Sequence, residues 1–232
     1  MSLHFNILTL FPEMFPGCLG HSLSGKALVE GKWNFNTINI RDFGLGVHKA
    51  VDDTPYGGGA GMVMRADVID AALSYVPKPD RKIYLSPRGK PLTQKRVIDL
   101  SHQAEVTLLC GRYEGVDQRV LDAHNFEEIS VGDYVLSGGE PAALILMDAC
   151  IRLLPGVMGN SETAPEESFS PSRGGLLEYP HYTKPATWCD QNGNTHDVPE
   201  VLRSGNHAKI QEWREDQSRA ITEKIRPDLL KK

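Results

Sequence analysis

Four cysteines in 232 residues, Cys18, Cys110, Cys150 and Cys189, stand far apart and form no Cys-x-x-Cys pair. That spacing gives no support to zinc or dithiol redox chemistry, and free thiols in a reducing compartment are the simpler account. No apolar run reaches 18 residues, and Met1 to Leu10 lacks a basic stretch followed by a long apolar one. The expectation is therefore a soluble, cytoplasmic protein with no membrane partner. There is little surplus charge: 25 Lys and Arg stand against 30 Asp and Glu, a net charge of −5. A protein that coats nucleic acid by charge alone is disfavoured, and any RNA partner must be met by locally clustered basic residues and by shape. No Gly-x-Gly-x-x-Gly follows the first apolar run, no Gly-x-Ser-x-Gly elbow occurs, and the eight histidines show no zinc-protease spacing. Dinucleotide binding, serine-hydrolase chemistry and a bound metal are thus unsupported.

Apolar residues make up 40% of the chain, enough for a substantial core. Short apolar runs at His4–Phe11, Arg81–Leu85, Val106–Cys110 and Glu128–Val131 read as buried strands, and Trp33–Ile40 alternates with period two. Helical stretches fall between them at Asp67–Val76, with Asp67 as cap, at Leu92–Ser101 and at Val116–His124. Two short helical pieces are expected across Glu13–Val29. Strands alternating with helices imply an α/β fold, a mostly parallel sheet with helices on both faces. Ser86-Pro-Arg-Gly89 reads as a turn. Arg41–Met62 has no period and carries Pro55, Gly57, Gly58, Gly59 and Gly61, so it reads as a long loop of the kind that is usually functional or disordered. Glu140–Leu154 is apolar nearly all round and should be a helix that is buried or packed between two partners, which hints at a dimer. Asp148 and Arg152 are four apart on it, consistent with an ion pair.

Composition changes after Pro155. The reading divides the chain into a first domain, 1–159, a mobile linker, 160–175, and a small, mainly helical domain, 176–232, whose helix starts near Gly205 with Ser204 as cap. From Glu200 to Lys232 there are eight Lys and Arg against six Asp and Glu. That local excess fits contact with a phosphate backbone, as it fits a solvated charged face.

Two glycine-rich turns organise the chain: Cys110-Gly-Arg-Tyr-Glu-Gly115 and Gly132-Asp-Tyr-Val-Leu-Ser-Gly-Gly-Glu140. Each follows a short apolar run, and glycine lets backbone come close to a ligand. Two such turns so near one another point to a ligand site at strand ends. Together with Val51–Met62, Tyr84-Leu-Ser-Pro87, Pro180-His-Tyr-Thr183 and Leu202–Ala208, these stretches resemble the bacterial tRNA (guanine-N1)-methyltransferases that modify guanosine 37. The resemblance runs through nearly the whole chain in order.

The resemblance implies the knotted (SPOUT) methyltransferase fold, with a trefoil knot closing the first domain, and a homodimer sharing each active site across its interface. It implies S-adenosylmethionine as methyl donor, held by Leu85, Ser86 and Pro87, by Gly111, Tyr113 and Glu114, and by Val131, Gly132, Asp133, Tyr134, Val135, Leu136, Gly138 and Gly139. It allows Mg2+ as an activating ion. Asp52 and Gly61 match positions beside the substrate guanine, and Arg203, Asn206 and His207 match the tRNA-contacting stretch. The family's catalytic base is an aspartate in Glu-Asp-Ser-Phe. This chain has Glu166-Glu167-Ser168-Phe169, so Glu167 takes that place and Glu166 is a stand-in; Arg152 matches the arginine near guanine O6. A second departure is Gly138-Gly-Glu-Pro141-Ala142, where the proline stands one place forward, in the tolerated first helical turn. A ribose 2′-O RNA methyltransferase and a catalytically silent RNA-binding protein remain as alternatives. The carboxylate-bearing linker favours a base-directed enzyme, since a ring N–H must lose its proton.

Overall fold

The computed structural model describes residues 2–77, 81–158 and 166–231. The chain resolves into two compact units, Met1–Gly159 and Asn160–Lys232.

In the first unit, five parallel strands form a sheet in the order β2-β1-β6-β5-β7. They are β1 (Leu3–Thr9), β2 (Trp33–Asn39), β5 (Lys82–Pro91), β6 (Glu105–Leu109) and β7 (Glu127–Ser130). Period-two alternation gives this sheet two apolar faces. Leu3, Phe5 and Ile7 of β1, with Val106 and Leu108 of β6, enter one core; Leu8 and Leu109 enter the other. Helices α1 (Ser22–Val29), α3 (Gln94–Ser101) and α5 (Gly139–Ile151) cover the first face. Helices α2 (Ala66–Leu73) and α4 (Gln118–Ala123) cover the second. The expected mostly parallel α/β sheet with helices on both faces is the observed architecture.

Caps explain several helix starts. The Thr93 side chain accepts a hydrogen bond from the Arg96 amide, and Asp117 accepts one from Arg119, each satisfying an amide that has no partner within its helix. Helix α2 corrects the expectation: its cap position is Arg65, and Asp67 lies inside the first turn, where a carboxylate still suits the positive end of the helix. The Ser86–Gly89 turn is a second correction. Strand β5 runs on through it to Pro91, and its register against β7 shifts between Leu85 and Lys90. A Cβ at Gly89 would overlap the Glu128–Ile129 backbone, so the glycine permits an irregular close approach that turn composition alone cannot distinguish from a reversal. The Arg41–Met62 loop contains β3 (Asp52–Asp53), which pairs with β4 (Val63–Met64).

Helix α5 is less enclosed than its composition suggests. Ala143, Leu146, Met147, Cys150 and Ile151 are buried, while Ile145 is 45% exposed. Burial also sets the behaviour of the thiols. It pushes Cys150 up to about 12 and Cys110 well above its usual range, where the Glu140 carboxylate adds to the shift. Both thiols therefore stay protonated and unreactive at neutral pH. Cys18 and Cys189 are exposed. An aromatic disulfide reagent at pH 7.5 is expected to titrate these two in the native protein, and the buried pair only after denaturation. Fast release from a third thiol would contradict this burial pattern.

In the second unit, residues 160–165 of the expected linker lie outside the described residues. From 166 onward the segment folds onto its own unit. Phe169 N–H donates to Leu176 O at 3.0 Å, Arg173 donates to Ser218 Oγ at 2.8 Å, and the Leu177 amide donates to Thr222 Oγ1 at 2.9 Å. An exposed hairpin, β8 (Thr187–Cys189) with β9 (Thr195–Asp197), lies within the stretch read only as Pro- and His-bearing. The long helix His207–Ile225 is capped by Asn206, whose side chain accepts from the Lys209 amide at 3.2 Å. Ser204 instead ends the short helix Glu200–Arg203.

Candidate active site

The two glycine turns meet physically where β6 ends and α5 begins. Gly139 N–H donates to Gly111 O at 2.9 Å. A Cβ at Gly139 would stand 2.7 Å from the Cys110 Cα, and one at Gly111 would stand 2.8 Å from the Tyr84 ring. Backbone thus crosses backbone with no room for a side chain. Around this crossing lies a cavity of about 380 Å³, within the rough 300–1,000 Å³ range of small-molecule sites.

All but one of the predicted cofactor residues line this cavity. Leu85, Ser86 and Pro87 from β5 line it, as do Gly111, Tyr113 and Glu114 from the first turn. From the second stretch, Val131, Gly132, Tyr134, Val135, Leu136, Gly138 and Gly139 line it, and Asp133 is exposed outside the lining. Sequence reasoning missed Tyr84, Arg88, Arg112, Ser130 and Ser137, which also face it. Tyr84 is 5% exposed, and burial pushes its phenol up. Ser130 Oγ donates to Gly132 O at 2.9 Å and shapes the start of the second loop. Tyr113 itself, though not a glycine, has φ +58; such left-handed backbone carries strain and gathers at functional sites.

The Val51–Met62 stretch is stitched to the first turn by backbone. Glu114 N–H donates to Met62 O at 3.0 Å, Met64 N–H to Gly115 O at 2.9 Å, and Asp117 N–H to Met64 O at 3.0 Å. At Gly61 (φ +85) a Cβ would stand 2.6 Å from Glu114 Oε1. Gly61 therefore sits directly on the Glu114 carboxylate. Asp52 is half-buried in β3. Its neighbour Asp53 faces a second, more open depression, lined also by Tyr56, Asp67, Asp117, Arg119 and His124, and pairs with Arg65 at 3.0 Å. No spacing rule separates Asp52 from Asp53; the strand pairing does.

Arg152 ends α5 as its C-cap, half-buried. In the second unit, Glu167 is half-buried and Glu166 exposed. The Glu166 carboxylate accepts a hydrogen bond from Tyr179 Oη at 2.9 Å. The Tyr179 ring lies under the guanidinium groups of Arg173 and Arg214, 5.0 and 4.7 Å away. Burial, then the Glu166 bond, raises the Tyr179 phenol. Arg203, Asn206 and His207 are all exposed around the start of the long helix. Among the described residues, no group of three or more His, Cys, Asp or Glu is arranged to hold a metal, and no helix is long and apolar enough to cross a membrane.

Comparison with known proteins supplies the chemical class. The family described as tRNA (Guanine-1)-methyltransferase TrmD matches residues 3–232. Proteins named tRNA (guanine-N(1)-)-methyltransferase from Brucella ovis and Brucella melitensis are 57% identical over 226 residues, covering 97% of this chain and 90% of theirs. One of the same name from Brucella suis is 57% identical over 226 residues, with 97% and 89% covered.

Proposed function

The chain belongs to the tRNA (guanine-N1)-methyltransferase family, and from that premise we propose that it transfers a methyl group from S-adenosylmethionine to N1 of guanosine 37 in tRNA. The observation that carries this reading is the family match over residues 3–232. The cavity at the glycine crossing supports it. The cavity is of small-molecule size, has five glycines among its lining residues, and has Glu114 on its lining. A carboxylate there suits the ammonium or sulfonium of S-adenosylmethionine, and the adjoining backbone N–H and C=O groups suit its adenine. Residues 85–87, 111–114 and 131–139 would hold it. When bound, it supplies an electrophilic methyl group. A family member implies the threaded, knotted chain at this point, an exception to the usual rule against threading.

What the protein itself must do is make guanine N1 nucleophilic. We assign the base to Glu167 and the stabilisation of charge at O6 to Arg152. Asp52 and Gly61 are the proposed guanine neighbours, and Arg203, Asn206 and His207 the proposed tRNA contacts. A homodimer with a shared site belongs to the same reading, and a cytoplasmic location suits a tRNA-modifying enzyme. Among the described residues, no three or more His, Cys, Asp or Glu gather where they would hold a resident Mg2+.

The deciding measurement is nuclease digestion and mass spectrometry of tRNA incubated with the protein and S-adenosylmethionine. N1-methylguanosine at position 37 is the expected product. A 2′-O-methyl product would place the enzyme on ribose, and an unmethylated tRNA would leave a silent binder.

A further inference from the structure

Glu140 is completely buried, yet the proposed methyl transfer gives it no role. Its Oε1 accepts a hydrogen bond from Thr9 Oγ1 at 2.7 Å, and Thr9 Oγ1 accepts in turn from the Phe11 amide at 3.0 Å. Its Oε2 lies 2.9 Å from Arg112 Nη2, an ion pair by distance that is not aligned as a hydrogen bond. The same guanidinium sits 4.4 Å over the Phe11 ring, and its Nη1 donates to Ser137 O at 3.2 Å. Gly138 leaves the space it occupies: a Cβ there would overlap the guanidinium.

These contacts tie four pieces of chain together: the end of β1, the first glycine turn, the loop before α5 and the first turn of α5. A buried ion pair is a poor way to gain stability, because two charges must leave water and a neutral pair of similar volume often does as well. A guanidinium has one property that an apolar side chain lacks: it can pair with a carboxylate and still donate to a carbonyl. Here that carbonyl belongs to a loop in which Asp133, Tyr134, Val135, Leu136 and Ser137 are all exposed, and Arg112 itself lines the cavity.

We propose that Arg112 and Glu140 are a positioning pair for the cofactor pocket: the buried carboxylate aims the guanidinium, and the guanidinium holds the 131–138 loop against the pocket. Cofactor affinity depends on this hold. The inference rests on the reading of this cavity as the S-adenosylmethionine site.

The test compares three variants with the unaltered full-length protein. Arg112→Met removes the loop contact and leaves a buried carboxylate unpaired. Arg112→Met combined with Glu140→Gln removes the contact with no buried charge left. Arg112→Lys keeps the charge pair without the fork. By calorimetry, Arg112→Met should raise the S-adenosylmethionine Kd at least about tenfold, the scale of one hydrogen bond to a charged group. Its kcat/KM for S-adenosylmethionine should fall by a larger factor than its kcat, the signature of an effect centred on binding. It should also melt earlier. The double variant should recover the melting temperature and keep the raised Kd, and Arg112→Lys should keep the melting temperature with an intermediate Kd. A double variant whose Kd returns together with its melting temperature would make the pair merely structural and overturn the inference. A wild-type Kd in folded Arg112→Met would overturn it as well. If Arg112→Met does not fold, the double variant decides. If the unaltered protein binds no S-adenosylmethionine, both the site reading and this inference fall.

Discussion

Gly139→Ala raises the S-adenosylmethionine Kd by at least ~100-fold, the upper part of the ~1–3 kcal/mol range for overpacking a close contact. The cause is local and can be stated atom by atom. The added Cβ would stand 2.7 Å from the Cys110 Cα, 2.9 Å from Gly111 N and 3.1 Å from Cys110 C. All three are backbone atoms of the buried first glycine turn, just past the end of β6, so the helix start must yield. The first turn of α5 then lifts, and the 2.9 Å bond from Gly139 N–H to Gly111 O breaks. The rest of α5 stays anchored by Leu146, Met147, Cys150 and Ile151, each 0% exposed. The damage therefore concentrates at the pocket wall. Gly111→Ala should be milder, because its Cβ meets the Tyr84 ring, a side chain, where Gly139 meets backbone. Calorimetry on variants shown to be folded by circular dichroism checks both the size and the order. Unchanged affinity in folded Gly139→Ala would remove this cavity from consideration as the cofactor site.

How much of this was legible depends on the kind of signal. The five strands of the sheet show as short apolar or alternating runs because each is buried on one or both faces, and periodicity reports burial. The glycine turns show because close backbone crossing excludes every other residue. The β8–β9 hairpin escaped because all six of its strand residues are exposed, so it has no apolar alternation. Its signal was Asn192-Gly193 at the tip, where Asp190 accepts from the amides of Asn192 and Asn194 at 2.9 Å; such dipeptides mark tight reversals. The Arg112–Glu140 pair escaped for a different reason. The two residues come from separate elements, and no spacing rule joins a turn to the helix that crosses it. Ser204 and Asn206 are both capping residues. Choosing between them required knowing that a short helix ends at Arg203, which composition does not say.

Glu167→Gln and Arg152→Ala each lower the single-turnover methylation rate by at least ~100-fold, the size of a lost general base or a lost charge stabiliser. Guanine N1 carries a proton, and its lone pair becomes available to an electrophile only as that proton leaves. A carboxylate can take it, and the negative charge that builds on O6 needs a cation nearby. Arginine serves that role well because its charge is permanent and its fork can donate two hydrogen bonds. Two adjacent carboxylates compete for the base. Glu166 accepts from Tyr179 Oη at 2.9 Å, and the Tyr179 ring is held beneath Arg173 and Arg214. Taking a proton from guanine would require it to leave that cluster. Glu167 is the position that matches the family's base, with one methylene more than the aspartate found there. Since a misplacement of about 1 Å can cost roughly a hundredfold, Glu167→Asp is an informative companion: it restores the family's residue and should retain most of the rate, whereas Glu167→Gln should not. Glu166→Gln should slow the reaction far less than Glu167→Gln. Rapid-quench measurement with enzyme in excess reads the chemical step, and calorimetry should show little change in cofactor affinity for any of the four variants. Near-normal turnover in Glu167→Gln with a large loss in Glu166→Gln would move the base by one residue. Near-normal turnover in both would end the case for proton abstraction by this segment.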